Sequence, residues 1–524
     1  MAATFRITYA TMEADQDELH RAFDAAVERI DRELRGKTFP MLIGGKRCEA
    51  AEKLPVYSPM DTREPLIAFQ KGTRDDAREA IAAAKAAWPT WKALPWEERC
   101  QIVDRVAGMI TENRFELAAM MVLEMGKNRI EALGDVEETA DLLRYYAYQM
   151  RTNNGYVRTM ESFGTNDTNT DVLKPYGVWA VISPFNFPLA LAGGPVAAAL
   201  VTGNTVVLKP SSDAPYTSYK LIEYFMEVGV PAGAVNFITG PGSTTGMELV
   251  ENPDVDGITF TGSYDVGFHQ VYRRFAPRYP KPVIVEMGGK NPAIISDKAD
   301  LDTAAQGVMR SAFGMGGQKC SACSRVYVHE AVYDAFMDKL LDKTRAIKIG
   351  DPARDQDVFL GPLVNRNAYE DYQRFMAKAR ADGTVLFGGE VVTEGDMAHG
   401  YYVQPAIITD LPQDHELVQN ELFVPILYVT KVKSLDEAMR KANDVVYGLT
   451  AGFFSKDEGE IQWFLDNIEA GVVYVNRAAG ATTGAWPGYQ PFGGWKSSGS
   501  SGRNIGGPYT LLNYLREQSQ TVIR

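Results

Sequence analysis

Apolar residues recur at helical spacing near the start of the chain. Leu19, Phe23, Ala26, Ile30 and Leu34 stand among many charges and predict an amphipathic surface helix within a segment of residues 1–40. A second helix is signalled by Thr73 three residues ahead of Asp76, a capping-box arrangement before an alanine-rich run, with Pro89 expected to stop it. Helical spacing then continues to about residue 152. The polar stretch "ESFGTNDTNTDV" (161–172) reads as an exposed connection or hairpin and marks a boundary.

From residue 177 the period changes. The short apolar runs "GVWAVIS", "NTVVLKP", "AVNFITG", "GITFTGS" and "KPVIVEMGG" alternate with segments of helical character, the signature of βαβ units, and predict five strands in one wound parallel sheet. Open parallel sheets bind ligands at the carboxyl ends of their strands. Those ends carry Pro184, Phe185, Asn186 and Phe187; Lys209, Pro210, Ser211 and Ser212; Gly240, Pro241 and Gly242; Thr261, Gly262 and Ser263; and Glu286. Glycines permit close backbone approach, and the segment opening at Ser263 can offer unpaired N–H groups to a pyrophosphate. The recurrence of such groups at successive strand ends points to a nucleotide cofactor more firmly than the Gly240 turn alone, which departs from GxGxxG.

Composition narrows the class. With 524 residues, 45% of them hydrophobic, the chain can bury a large core divided among two or three domains. No basic-then-apolar leader or long apolar run is present, which predicts a protein neither exported nor inserted in a membrane. Four cysteines are too few for a disulfide framework and predict a cytoplasmic location. A net charge of −13 opposes non-specific nucleic-acid binding.

Two of the cysteines lie in "GGQKCSACSR". A zinc site needs two further ligands, and neither Cys48 and Cys100 nor the five histidines supply a ligand pattern, so no metal is expected. A thioredoxin-like pair belongs near the first βα unit of a small domain. The choice left open by the residues is nucleophile or core packing. Cys320 follows a flexible Gly-Gly and adjoins Lys319, a context that suits an accessible, ionisable thiol. Cys323 lacks that context and reads as a packing residue.

"SPFNFPLA", "LKPSSDAP", "FTGSYDVG", "VEMGGKNPAII", "GQKC", "ELFVPIL", "NDVVYGLTAGFF" and "PFGGWKSSG" occur in this order, and together they resemble the aldehyde dehydrogenase superfamily from about residue 40 to the end. The resemblance implies an α/β fold with three parts. A Rossmann-like parallel-sheet NAD-binding domain would take residues 41–155 and 176–285, an α/β catalytic domain residues 286–490, and a β-strand oligomerisation arm residues 156–175 and 505–524. It implies Cys320 as nucleophile, the Asn186 amide and the Cys320 N–H as oxyanion donors, and Glu286 as the base that activates water. Ser183, Pro184, Phe185, Lys209, Ser211, Ser212, Gly240, Gly242, Gly246, Thr261, Gly262, Ser263, Glu421 and Phe423 would hold the dinucleotide. Ser212 stands where NAD-strict relatives carry an acid, which admits NADP beside NAD by removing a repulsion. Val424 and Phe185 replace a usual glycine and a frequent tryptophan.

"GQKCSA" and "TTGAWPGYQPFGGWKSSG" are similar to the branch of the family that oxidises glutamate γ-semialdehyde. That likeness implies a substrate carboxylate gripped by Ser321, Gly484 and Ala485, with Phe187 and Phe492 lining the pocket. Other carboxylated semialdehydes, or an aromatic aldehyde against Phe187, Trp486 and Tyr489, are the alternatives. A coenzyme A acylating enzyme is disfavoured by Glu286. A silent binding protein on this fold would be expected to lose Cys320, Glu286 or Asn186. A homo-oligomer is expected, with the terminal "SQTVIR" as an edge strand seeking a neighbouring subunit's sheet.

Overall fold

The computed structural model describes residues 17–164 and 166–524, so the first sixteen residues of the expected helical extension lie outside the described residues. The extension's helix is Asp17–Leu34. It buries Phe23, Ala26, Ile30 and Leu34 and packs on the helix Arg114–Met125, so its spacing reports true burial.

Thr73 caps the next helix, Arg74–Ala93, and the capping box forms with Asp76 on both sides. Pro89 does not stop this helix, contrary to expectation. Proline forfeits one backbone bond, a cost that tertiary contacts can offset. Here the turn around it is tied to the neighbouring loop: the Trp88 indole donates to the Gly203 carbonyl (3.1 Å) and the Trp91 indole to the Leu200 carbonyl (3.2 Å).

The five predicted strands form as Val178–Ile182, Thr205–Lys209, Val235–Phe237, Gly257–Thr261 and Val283–Glu286. Their neighbours in space run parallel. The sheet has seven strands rather than five. Met41–Ile43 and Lys46–Cys48 add an antiparallel edge, joined through Phe237 opposite Leu42. These strands are only three residues long, too short for alternation to announce them.

A second seven-stranded sheet contains Asn291–Ile295, Cys323–His329, Ile426–Val432, Thr450–Phe454 and Val472–Val475, all joined in parallel. The chain crosses between the sheets at Gly288 and Gly289. A Cβ on Gly288 would strike the Glu421 carboxylate, and one on Gly289 would sit 2.6 Å from the Cys320 carbonyl oxygen. Only glycine allows this junction to press against both.

The third sheet joins Val157–Thr159, Asp167–Pro175 and Leu515–Ile523 in antiparallel order. The C-terminal strand therefore finds its partner within its own chain, which corrects the expectation that it needed a neighbouring subunit for pairing. It remains the outer strand of this sheet.

Candidate active site

The helix Leu301–Phe313 ends in the turn Gly314–Gly317, where Met315, Gly316 and Gly317 take positive φ. This left-handed run, open mainly to glycine, swings the following residues back over the second sheet. Gln318 is buried and locks the turn, its Oε1 accepting from the Val364 N–H (2.9 Å) and its Nε2 donating to the Met315 carbonyl (3.0 Å). Asn291, just beyond the glycine junction, donates through Nδ2 to the carbonyls of Cys320 (2.7 Å) and Ala322 (2.9 Å). Its Oδ1 accepts from the Thr450 N–H (3.0 Å). The Cys320 backbone is thus tied to two strands of the sheet. Cys323 instead begins a strand, is buried in the apolar core of this sheet, and directs its thiol to the Arg325 carbonyl.

Electrostatics distinguish the groups around Cys320. Glu286 ends its strand, is buried, and one carboxylate oxygen has no partner. Burial pushes its carboxyl up to about 8. Glu421 accepts the Gly289 N–H (3.0 Å) and is pushed up to about 7, again by burial. Burial and then the charges of Glu421 and Glu286 push the Cys320 thiol up to about 12. Lys319 lines the same cavity as Cys320 and pairs its ammonium with Glu131, while burial sets the direction of the thiol's shift.

The residues expected to hold a dinucleotide gather at the strand ends. Lys209 is buried, donates only to the Pro210 carbonyl (3.1 Å), and is brought down to about 8 by burial. A Cβ on Gly246 would lie 3.7 Å from the Lys209 stem, whereas one on Gly242 would meet open space. Gly240, at positive φ, fits closely under Thr245. Thr261 pairs with Glu286 across the sheet, and the Gly262 N–H donates to the Glu286 carbonyl (3.1 Å). Ser263 accepts the Val266 N–H through its hydroxyl. Phe185 meets Phe423 edge to face, their centroids 5.8 Å apart, with Phe423 held at positive φ. Ser183 is buried with an unpartnered hydroxyl beside Pro184. Ser211 bonds Asp213, and Ser212 is exposed.

A cavity of about 370 Å³ opens on Cys320. It brings together Cys320, Ser321, Phe187, Gly484, Ala485 and Phe492. Thr482 pins the loop that carries Gly484 to the turn of Cys320, donating to the Ser321 carbonyl (2.7 Å). Asn186 and Glu286 do not line this cavity. Trp486 and Tyr489 do not line it either: the Trp486 indole donates to Asp141 (2.8 Å), and Tyr489 is largely exposed. Of the three aromatic residues weighed for the alternative of an aromatic aldehyde, Phe187 alone lines the cavity.

The sequence model of the Aldehyde dehydrogenase family matches residues 47–520. The chain belongs to the aldehyde dehydrogenase family. It is 38% identical over 521 residues to a 1-pyrroline-5-carboxylate dehydrogenase of Geobacillus sp. (strain WCH70), covering 98% of each chain. Its fold is similar to a 1-pyrroline-5-carboxylate dehydrogenase from Thermus with bound NAD, with a TM-score of 0.92, 34% identity and 98% of each chain covered. It is also similar to a betaine aldehyde dehydrogenase from Staphylococcus aureus in complex with NAD+ (TM-score 0.89, 30% identity), with 96% of this chain and 97% of that one covered.

Sequence reasoning missed several groups of this aldehyde dehydrogenase. The charged walls of the cavity include Arg129, Glu131, Arg310 and Arg477, drawn from helices and a loop far apart in the chain. Asn291 and Gln318 lie inside recognised motifs, but only the folded hydrogen bonds reveal what they hold. Among the described residues no cluster of histidine, cysteine or acidic side chains could hold a metal, and no helix is long and apolar enough to cross a membrane.

Proposed function

We propose that this enzyme oxidises L-glutamate γ-semialdehyde, formed by ring opening of 1-pyrroline-5-carboxylate, to L-glutamate with NAD. The observation that carries the reading is the cavity that sets Cys320 beside Ser321, Gly484 and Ala485. A carboxylate at the far end of a short aldehyde would accept bonds from the serine hydroxyl and from backbone N–H groups, which give direction without a full positive charge. The relatives named for 1-pyrroline-5-carboxylate support the same substrate.

Residues at the strand ends fit a dinucleotide on their own chemistry. The open space over Gly242, the buried Lys209 beside Gly246 and the Phe185–Phe423 pair would hold its phosphates, ribose and ring, with Glu421 on a ribose. When bound, NAD supplies the hydride acceptor. The chain's own residues act on either side of that transfer. Cys320, once its thiol proton has passed to solvent, attacks the aldehyde carbon as the thiolate, and the carbonyl oxygen, which becomes the oxyanion, accepts from the Asn186 amide and the Cys320 N–H. After loss of hydride the carbon is a thioester. Glu286 takes a proton from water, which adds to the thioester and expels the Cys320 thiolate with the carboxylate product.

The units of residues 41–155 with 176–285, and of 286–490, divide these tasks between cofactor and nucleophile. The arm of residues 156–175 and 505–524 supports self-association into at least a dimer, since its outer strand leaves one row of backbone groups open. The test is a panel of aldehydes with NAD and with NADP, read by absorbance of the reduced cofactor and by chemical analysis of the product. Glutamate formed without coenzyme A supports the reading. A preference for aldehydes lacking a carboxylate would overturn it, and equal use of NADP would be explained by Ser212.

A further inference from the structure

One ion pair of the interior does no work in the steps above. Lys127 follows the helix Arg114–Met125, and Asp135 lies on Arg129–Thr152. Both side chains are 0% exposed, and Lys127 Nζ lies 2.9 Å from Asp135 Oδ2. Such a pair is costly to bury and is a weak source of stability. Its remaining bonds converge on one short segment. Lys127 Nζ donates to the Asn186 carbonyl (2.9 Å) and sits 3.9 Å over the Phe187 ring. Asp135 Oδ1 accepts from the Ala190 N–H (2.9 Å). The pair therefore holds residues 186–190 at both ends. Between them, the Phe187 N–H is bonded to Asn186 Oδ1 (3.2 Å), which turns the amide's NH₂ away from that contact.

We infer that Lys127 and Asp135 are positioning residues, fixing the Asn186 amide as oxyanion donor and the Phe187 ring as the cavity wall. The inference rests on the oxyanion role of Asn186 given above. An oxyanion donor acts only if held where charge develops, and a displacement of about 1 Å in such a group costs about 10²-fold in rate. A lysine on the backbone carbonyl of the donor residue, itself oriented by an aspartate on the next helix, supplies that constraint without touching substrate.

The test uses an ester that needs no cofactor. With p-nitrophenyl acetate, Cys320 attacks the carbonyl, expels nitrophenolate and becomes acetylated through a tetrahedral oxyanion, so the nitrophenolate burst reports on thiol attack and oxyanion stabilisation without the cofactor, and the Asn186 background separates the two. Lys127→Met is expected to slow the burst by about 10²-fold, while NAD binding by protein fluorescence stays within about twofold. Asp135→Asn should give a smaller loss in the same direction. In an Asn186→Ala background, Lys127→Met should add almost nothing, because both act through one amide. Full multiplication of the two effects would overturn the inference. So would a wild-type burst in Lys127→Met/Asp135→Leu, the variant that leaves no unpaired buried charge. An unchanged burst in Asn186→Ala alone would instead remove the oxyanion reading on which the inference stands.

Discussion

Cys320 and Cys323 lie three residues apart, yet of the two only Cys320 faces the cavity. Cys320 lines it, and Cys323 is packed into the second sheet's core. Cys320→Ala is expected to lower aldehyde oxidation by at least about 10³-fold while NAD still binds, because the thiol makes the covalent bond and not the dinucleotide site. Cys323→Ala should keep activity within about twofold and lose roughly 1 kcal/mol of stability. Steady-state rates and thermal unfolding check both, and reversed outcomes would exchange the two roles. Glu286 adds a pH dependence. In its proposed role as base it would act ionised, and burial pushes its carboxyl up to about 8, so hydrolysis of the thioester should rise with pH through about 8 and level off above. Glu286→Gln should retain a burst of reduced cofactor, lose that limb, and turn over about 10² to 10⁴ times more slowly. Family membership was legible because the motifs that carry Cys320, Glu286 and Asn186 occur in a fixed order. Lys319 lies with Cys320 on the cavity wall, and adjacency in sequence could not show that its ammonium pairs with Glu131 there.

Between elements, the most exacting contact is the one Glu124 makes from the helix Arg114–Met125. One oxygen accepts the Tyr216 N–H (3.1 Å) at the start of Tyr216–Glu227, and the other has no partner. Complete burial holds this carboxyl well above its ordinary range. The folded protein therefore keeps a proton that the unfolded chain releases near pH 4.5, so this group's contribution falls as pH rises above that value. Glu124→Gln keeps the acceptor and removes the titration. Urea unfolding at a series of pH values should show the variant gaining on wild type as pH rises from 5 to 8, with the two alike near pH 4; a constant difference would mean that Glu124 is ionised in the fold. At this scale the sequence spoke through period and caps. The parallel strands and the Thr73 cap were readable because each is a local pattern. The run of helix past Pro89 was not, since the bonds that hold Trp88 and Trp91 come from Gly203 and Leu200, more than a hundred residues away.

For the whole molecule, the decisive geometry is how the two sheets meet at Gly288 and Gly289 and how the arm is tied to the first of them through Tyr514. The division into sheets could be anticipated from the sequence, and the partner of the last strand could not: pairing of Leu515–Ile523 with Asp167–Pro175 links segments separated by almost the whole α/β body. That pairing also decides where the arm can be cut. Leu511, Tyr514 and Leu515 are buried, and Tyr514 shares a hydroxyl hydrogen bond with Thr259 (3.1 Å) while its carbonyl accepts from Asn204 (2.9 Å). Removal of residues 511–524 would open the first sheet's core as well as the arm. Removal of 517–524 takes away only exposed or half-buried positions of the outer strand. The shorter truncation should leave the fold and NAD binding intact, and strip the strand whose open edge is suited to another subunit. Light scattering of the full chain is expected to give at least twice the 57.8 kDa chain mass, and the truncated chain a single one. A full-length protein of one-chain mass at working concentration would contradict self-association through the arm, and a truncated protein of unchanged mass would place the interface elsewhere.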